Sequence, residues 1–512
     1  MAGLARAWAT ARRCVAGPGM TWRGRLRESD HRISGERSFA DDKARHTLHR
    51  APPMHLIVLG LWLCTVFALG GSSRADIASL PYLRPLSVLV LGYAIAQLSL
   101  AHLRANRWLL GLATSVIVLP LAQLLPLPPE LWHALPGREA LVQIDQAAGL
   151  GAIWRPGSMV PPATWNAFWA LPAPAATLLL VLKLSDVERV QIVVVLLLIG
   201  VISGLLGLLQ LLSDPTGALY FYAITNGGSP VGLFANRNHH AAFLVCLLPL
   251  LLVWAARFTA AQRWQRWQRG ARRWALPGVL LAGCALILLL VFLTGSRSGV
   301  MLALLTLVML LAVGRQLGKR RGGGHGEERG TAHRFSLIML ALAILVGLAF
   351  QLGRTLAIDR LFAQDIGQDA RVQILPTVFT MIADAMPWGT GLGTFEQVYR
   401  LYELDALLMP TYMNHAHNDW LELALTAGLP GIALLLGAVI CYVLALYRAL
   451  VPSAAARSGI DLVRAGLLVL LVLALASLTD YPLRTPSLAC LAAAVIALVW
   501  SRPLSTPETL TR

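Results

Sequence analysis

Charge is what this chain has least of. Asp, Glu, Lys and Arg make up 13% of its 512 residues, against 56% hydrophobic residues, and the mean hydropathy is +0.63. That balance excludes an ordinary soluble globular protein and assigns the chain to a bilayer. Cysteine is scarce as well. Cys64, Cys246, Cys284, Cys441 and Cys490 fall in apolar runs and Cys14 in a basic tail, with no CxxC pair, so neither a disulfide framework nor a cysteine metal site is on offer. Internal repeats of about 20–50 residues are lacking, which excludes a solenoid. Residues 1–50 contain no apolar stretch that could form the core of a signal peptide.

What is present is a succession of apolar runs long enough to cross ~30 Å of hydrocarbon. They lie near 55–71, 86–102, 108–125, 166–183, 190–212, 240–256, 276–294, 298–314, 335–352, 430–449, 462–479 and 488–501. The pattern predicts an all-α polytopic membrane protein of about twelve transmembrane helices.

Bases (43) outnumber acids (26), for a formal charge of +17, and the excess collects in 257–274 and 315–334. These segments lie an even number of spans apart, and the positive-inside rule puts both in the cytoplasm. The loops 127–165, 213–239 and 353–425 then fall outside, while 103–107, 182–189 and both termini fall inside. The positive charge reads as a topology signal and an attraction to anionic lipid, not as nucleic-acid binding. Residues 1–53 are expected to form a disordered basic extension, with Met20 or Met54 as alternative starts. Transmembrane helices follow over 54–229, a second transmembrane region over 230–502 includes the long structured loop 353–425, and 503–512 form a cytoplasmic tail. GGGHG at 322–326 reads as a flexible turn.

The topology brings four polar clusters to the outer face: GLFANRNHHAAFL (232–244), TGSRSG (294–299), the loop 353–425, and TDYPLRTP (479–486). Arg297 sits in a turn of a few residues between two apolar helices, where an unpaired charge is costly. It either snorkels to lipid phosphate, pairs with a carboxylate such as Asp480, or holds an anionic substrate group beside Gly295, Ser296 and Ser298 at a helix N-terminus. Arg371 alone would read as a solvated loop arginine. However, its loop runs some seventy residues without a span and carries closely spaced glycines, which favours function. GTGLG within it has the wrong spacing and no preceding strand for a nucleotide site, so close backbone packing is expected.

In NHAHNDWLEL, Asp419 and Glu422 have the spacing of a capping box, so a helix should start after Asn418 and close at Gly428 and Pro430. His417 then stands at a helix N-terminus, where the partial positive charge favours a neutral ring suited to a general base. His415 shares its face if the segment is extended. The two rings could instead merely hydrogen-bond in the loop, or bind metal with His239 and His240, although HxH alone is a weak metal signal.

Taken together, these residues resemble the O-antigen ligase and O-antigen polymerase superfamily. His417-Asn418, nine residues, Gly428, two residues and Gly431 are similar to the ligase signature HNx9GxxG. GLFANRN, GSRSG, the block from Arg371 to GTGLGTF, and DYPLRTP follow in the family's order over about 230–487. The first 220 residues match only in being hydrophobic. The resemblance implies a GT-C-like helical fold in the bacterial inner membrane with a periplasmic site, and a glycan carried on undecaprenyl diphosphate. It implies that Arg297 and Arg371 bind the diphosphate and that His417 is the essential base. His415, Asn418, Asp419 and Asn236 are expected as supporting or acceptor contacts, and the doubled His239-His240 departs from the pattern. On this reading arginines supply the electrostatics, no cofactor or metal is called for, and an acceptor hydroxyl displaces the lipid diphosphate with inversion. The acceptor is a glycolipid, a growing polysaccharide or a protein. A transporter or flippase of lipid-linked glycans is the reading from another class, but it predicts midplane charge pairs and repeats that the sequence lacks.

Overall fold

The computed structural model describes residues 53–151, 153–260, 275–321, 370–408, 412–451 and 460–501. The expected span at 335–352, residues 1–52, most of the two basic segments, the glycine-rich turn at 322–326, loop positions 353–369 and the tail from 502 lie outside them. Every other expected run coincides with a helix. The main helices are α1 (Met54–Leu69), α2 (Leu80–Ala96), α3 (Arg107–Gln123), α4 (Pro161–Ala170), α5 (Pro172–Leu182), α6 (Asp186–Leu211), α7 (Arg237–Ala260), α8 (Ala275–Leu293), α9 (Arg297–Arg321), α10 (Leu375–Ala385), α11 (Asp419–Leu450), α12 (Ile460–Ala476) and α13 (Pro486–Trp500). By length and composition four helical stretches are sufficient to cross a membrane: Pro161–Leu182, Asp186–Leu211, Arg237–Arg257 and Asp419–Leu450. The other apolar helices are shorter. The run expected at 166–183 is divided, because Pro172 at the head of α5 cannot donate a backbone N–H to the turn before it.

Burial ranks the helices. The apolar stretch of α7 is 83% buried inside the protein and that of α11 only 11%, so α7 is the hub and α11 lies at the periphery. Around α7 pack α6, α8, α9 and α12. Leu244, Leu247 and Leu250 of α7 meet Leu196, Val291 and Val469 in the main apolar core. α13 packs on α5 and α12. Arg464, in the first turns of α12, donates to the Ala449 carbonyl near the end of α11 at 3.0 Å.

A second, smaller core belongs to the 370–425 region, where Val378, Met381, Phe395, Val398 and Leu425 are buried together. Among the described residues the only sheet is a two-residue antiparallel ribbon, Pro126–Leu127 against Arg155–Pro156. Arg138 binds that region to the smaller core. It is 1% exposed and donates to the carbonyls of Pro136 and Gly157, each at 2.8 Å, and of Gly389 at 2.9 Å.

Candidate functional site

The turn joining α12 to α13 carries Asp480, whose side chain is 3% exposed. A carboxylate so deeply withdrawn from water needs compensation, and four segments supply it. Asn238 Nδ2 donates to Oδ2 at 2.6 Å and Asn236 Nδ2 at 3.4 Å, with Arg371 Nη2 at 3.9 Å. The Tyr481 amide donates to Oδ1 at 3.0 Å, and His417 Nδ1 and His239 Nε2 face it at 3.4 and 3.7 Å. Burial pushes the Asp480 carboxyl up, but the contacts from His239, His417 and Arg371 outweigh it and hold the group well below its ordinary 3.8. Asp480 is therefore a carboxylate, and the convergence is electrostatic. Arg371 also donates from Nη1 to the Thr479 carbonyl at 3.0 Å, while 34% of its side chain stays exposed.

Tyr481 is the second organising residue. Its ring centroid lies 4.3 Å from that of His415, 4.9 Å from His417 and 5.1 Å from His239. The rings of His415 and His417 thus meet the same aromatic ring, although the backbone at His417 is not extended. Each has a different carboxylate partner. His415 Nδ1 lies 3.0 Å from Glu422 Oε1, in a buried set where Arg484 contacts Asp419 at 3.0 Å and Glu422 at 3.4 Å. Burial pushes the Arg484 guanidinium down, but the two acids reverse this and raise it above its ordinary value.

The helix start is where the sequence put it, but its cap is different. Asn418, not Asp419, is the N-cap: its Oδ1 accepts from the amides of Trp420 (3.0 Å) and Leu421 (3.1 Å). This moves Glu422 one place beyond the capping-box position, and its carboxylate accepts instead from the Ala416 amide at 3.0 Å. Asp419 accepts from Ser477 Oγ at 3.0 Å. His417, just before the cap, has φ of +50°, a left-handed conformation rare for a residue with a side chain and concentrated at functional sites. Asp480 adds a negative charge beside His417 that the helix-terminus expectation did not include.

At Gly428 (φ 57°, ψ −148°) α11 kinks. An added Cβ there would lie 2.2 Å from the Pro387 carbonyl oxygen. The GTGLG stretch packs against this kink: Gly389, Gly391 and Gly393 all have positive φ, and a Cβ at Gly389 would stand 2.7 Å from the Gly428 amide. The glycines serve close backbone approach. Gln123, at the end of α3, clamps the junction by donating to the Thr426 carbonyl and accepting from the Leu392 amide, both at 2.9 Å.

The structure thus brings Arg371, Asn236 and His417 to one carboxylate and puts His415 and Asp419 in the adjoining cluster, with Asn418 as the cap between them. Arg297 opens α9. Two residues on, Gly299 abuts Ala241, 2.5 Å from where a Cβ would stand, so this turn packs on the start of α7. His239 and His240 do not act together: His240 is 0% exposed, with Nδ1 2.7 Å from the Pro230 carbonyl and its ring stacked on Phe234. Among the described residues, no three His, Cys, Asp or Glu side chains form a metal-binding group. Sequence reasoning missed Asn238, Tyr481, Glu422 as partner of Arg484, and Asp480 as the common centre. The available signal was Asp480 itself, an acid in a short turn between two apolar helices.

Next to His415 opens a cavity of about 720 Å³, lined by Arg74, Arg84, Asn166, Tyr412, Asn414 and Arg484 among others.

A family model described as O-Antigen ligase matches residues 282–436. The match supports the O-antigen ligase and polymerase superfamily, and O-antigen ligase-type glycan transfer in general. It takes in Arg297, Arg371 and His415 to Asp419, and leaves out Asn236, His239 and the Asp480 turn. Compared with curated proteins, the chain finds no match.

Proposed function

We propose that the protein transfers a glycan from undecaprenyl diphosphate to an acceptor hydroxyl at the periplasmic face of the inner membrane, as an inverting glycosyltransferase of ligase or polysaccharide-polymerase type. The observation that carries the reading is the meeting of His417, Arg371 and Asp480 within 4.0 Å contacts. With Nδ1 turned to Asp480, Nε2 is the ring atom left to meet substrate.

His417 takes the proton of the acceptor hydroxyl at Nε2. The oxygen attacks the anomeric carbon, and the bond from that carbon to the diphosphate oxygen breaks with its electron pair on the leaving lipid diphosphate. Arg371 and Arg297 stabilise the charge that develops there. Asp480 orients the imidazole and stabilises the cation it becomes, as well as fixing Arg371. Asn236 and Asn238 hold Asp480 in place. His415, Asp419 and Asn418 shape the adjoining acceptor side.

The test is transfer in proteoliposomes supplied with lipid-linked glycan and acceptor. His417→Ala should cut the rate by about 10²–10⁴-fold in protein that still folds; a variant that kept the full rate would remove the base assignment. A deletion strain identifies the acceptor: lipid-linked polymer accumulates for a ligase, single repeats for a polymerase, and unglycosylated protein for a protein transferase.

A further inference from the structure

The cavity beside His415 has a charge balance that the transfer reaction does not use. Three arginines and two acids line it. Arg74 is held bidentately by Asp76 at 2.9 and 2.7 Å, Arg484 is held by Asp419 and Glu422, and Glu396 is taken by Arg400. Arg84 is left. Its Nη2 donates to Asn166 Oδ1, its Nε is buried without a hydrogen-bond partner, and no carboxylate among the described residues lies within 4.0 Å of it. A guanidinium set in an apolar helix without a counter-charge is costly, and in a membrane protein such a group marks a ligand or ion path.

Its surroundings define the ligand. Arg84 also lines a second groove, of about 560 Å³, whose other walls include Leu80, Pro81, Val88 and Trp169. The arginine therefore stands where an apolar groove meets the larger cavity that carries the three arginines. On α4, exposed Trp165 and Trp169 stack at 6.4 Å, an arrangement typical of the headgroup level of a bilayer.

We propose that Arg84, with Asn166, clamps the headgroup of a phosphate-bearing amphiphile whose hydrocarbon chain lies in the groove and whose head extends into the cavity towards His415. A planar fork matches a phosphate better than a point charge does, and Asn166 fixes the fork's orientation. The groove supplies affinity that a free phosphate could not gain.

The test reads binding, not transfer, so its outcome is independent of the donor proposed above. Full-length protein in phosphatidylcholine nanodiscs is titrated with radiolabelled dodecyl phosphate, in wild-type, Arg84→Gln, Arg371→Gln and Ala170→Trp forms. Saturable binding should weaken at least tenfold in Arg84→Gln and persist in Arg371→Gln. Ala170→Trp narrows the cavity from a residue other than Arg84; it should weaken binding as well and supplies the readout if Arg84→Gln is not recovered. An equal concentration of inorganic phosphate should fail to displace the label. Unchanged affinity in both Arg84→Gln and Ala170→Trp, or loss of binding in Arg371→Gln alone, would overturn the site. Displacement by inorganic phosphate at equal concentration would overturn the amphiphile and leave a simple anion site.

Discussion

Replacing Asp480 by Asn tests the electrostatic centre with almost no change of shape. The carboxylate accepts from Asn238, Asn236 and the Tyr481 amide and faces His417, His239 and Arg371. An amide retains one acceptor oxygen and turns the other position into an NH2 group. If the oxygen stays with Asn238, the NH2 meets the Tyr481 amide donor against donor, and His417 Nδ1 can accept from it only by giving up its proton, which leaves Nε2 protonated and unable to act as the base. Hydrogen bonds to a charged group are worth about 1.5–3 kcal/mol, and removing one member of a buried charged set costs about 3–5 kcal/mol. If about 3 kcal/mol of this is orientation lost by His417 and Arg371 in the transition state, transfer falls about 100-fold, at 1.4 kcal/mol per factor of ten. The assay is the initial rate in proteoliposomes, with Tm of the detergent-solubilised protein measured alongside. A variant within twofold of the wild-type rate and with unchanged Tm would show that the carboxylate organises nothing, and the reasoning fails.

Acidification offers a complementary measurement. Since the folded carboxyl of Asp480 lies well below its ordinary value, its contribution to stability is fully present above about pH 5 and is lost as pH falls through about 4 and below. The Tm loss between about pH 5 and pH 3 should accordingly be smaller in Asp480→Asn than in wild type, and an equal loss would contradict the assignment. Arg371→Lys should reduce transfer by about tenfold or more, because one ammonium cannot serve the Thr479 carbonyl, Asp480 and a phosphate together; Arg297→Lys is expected to fail for lack of the same fork, and normal rates in both would refute the diphosphate role. Gly428→Ala should destabilise the protein by about 1–3 kcal/mol or more through backbone strain, with the Cβ clash against Pro387 adding to it, as read by Tm; a Tm equal to wild type would mean that the kink relaxes freely.

Much of the helical layout was legible because the apolar run is a strong signal, and helices occur at every expected run within the described residues. The helix start at Asp419 and the break at Gly428 were legible from local chemistry. The cap was off by one because Asn418 and Asp419 are both competent caps, and the choice is made by Leu478 and Ser477, which accept from Asn418 Nδ2 at 3.1 Å and the Asp419 amide at 2.9 Å. Arg371 and His417 were singled out by residue type and setting. Their common partner was not, because Asp480 is more than sixty positions away and only the packing of α7 and α12 brings Asn238, His239 and Asp480 together. Tyr481 gave no signal of its own: an aromatic in a turn between membrane helices is ordinary until three imidazoles are seen around it.

The bonds from Gln123 and Arg138 to the glycine-rich stretch have a practical consequence for engineering. A hybrid that kept the segment from Arg371 to Arg484 but borrowed its first five helices from a relative without a matching amide and guanidinium would leave three main-chain groups, on Leu392, Thr426 and Gly389, seeking partners. Specificity swaps are therefore better confined to the walls of the cavity, with those two side chains carried along as fixed rivets of the scaffold.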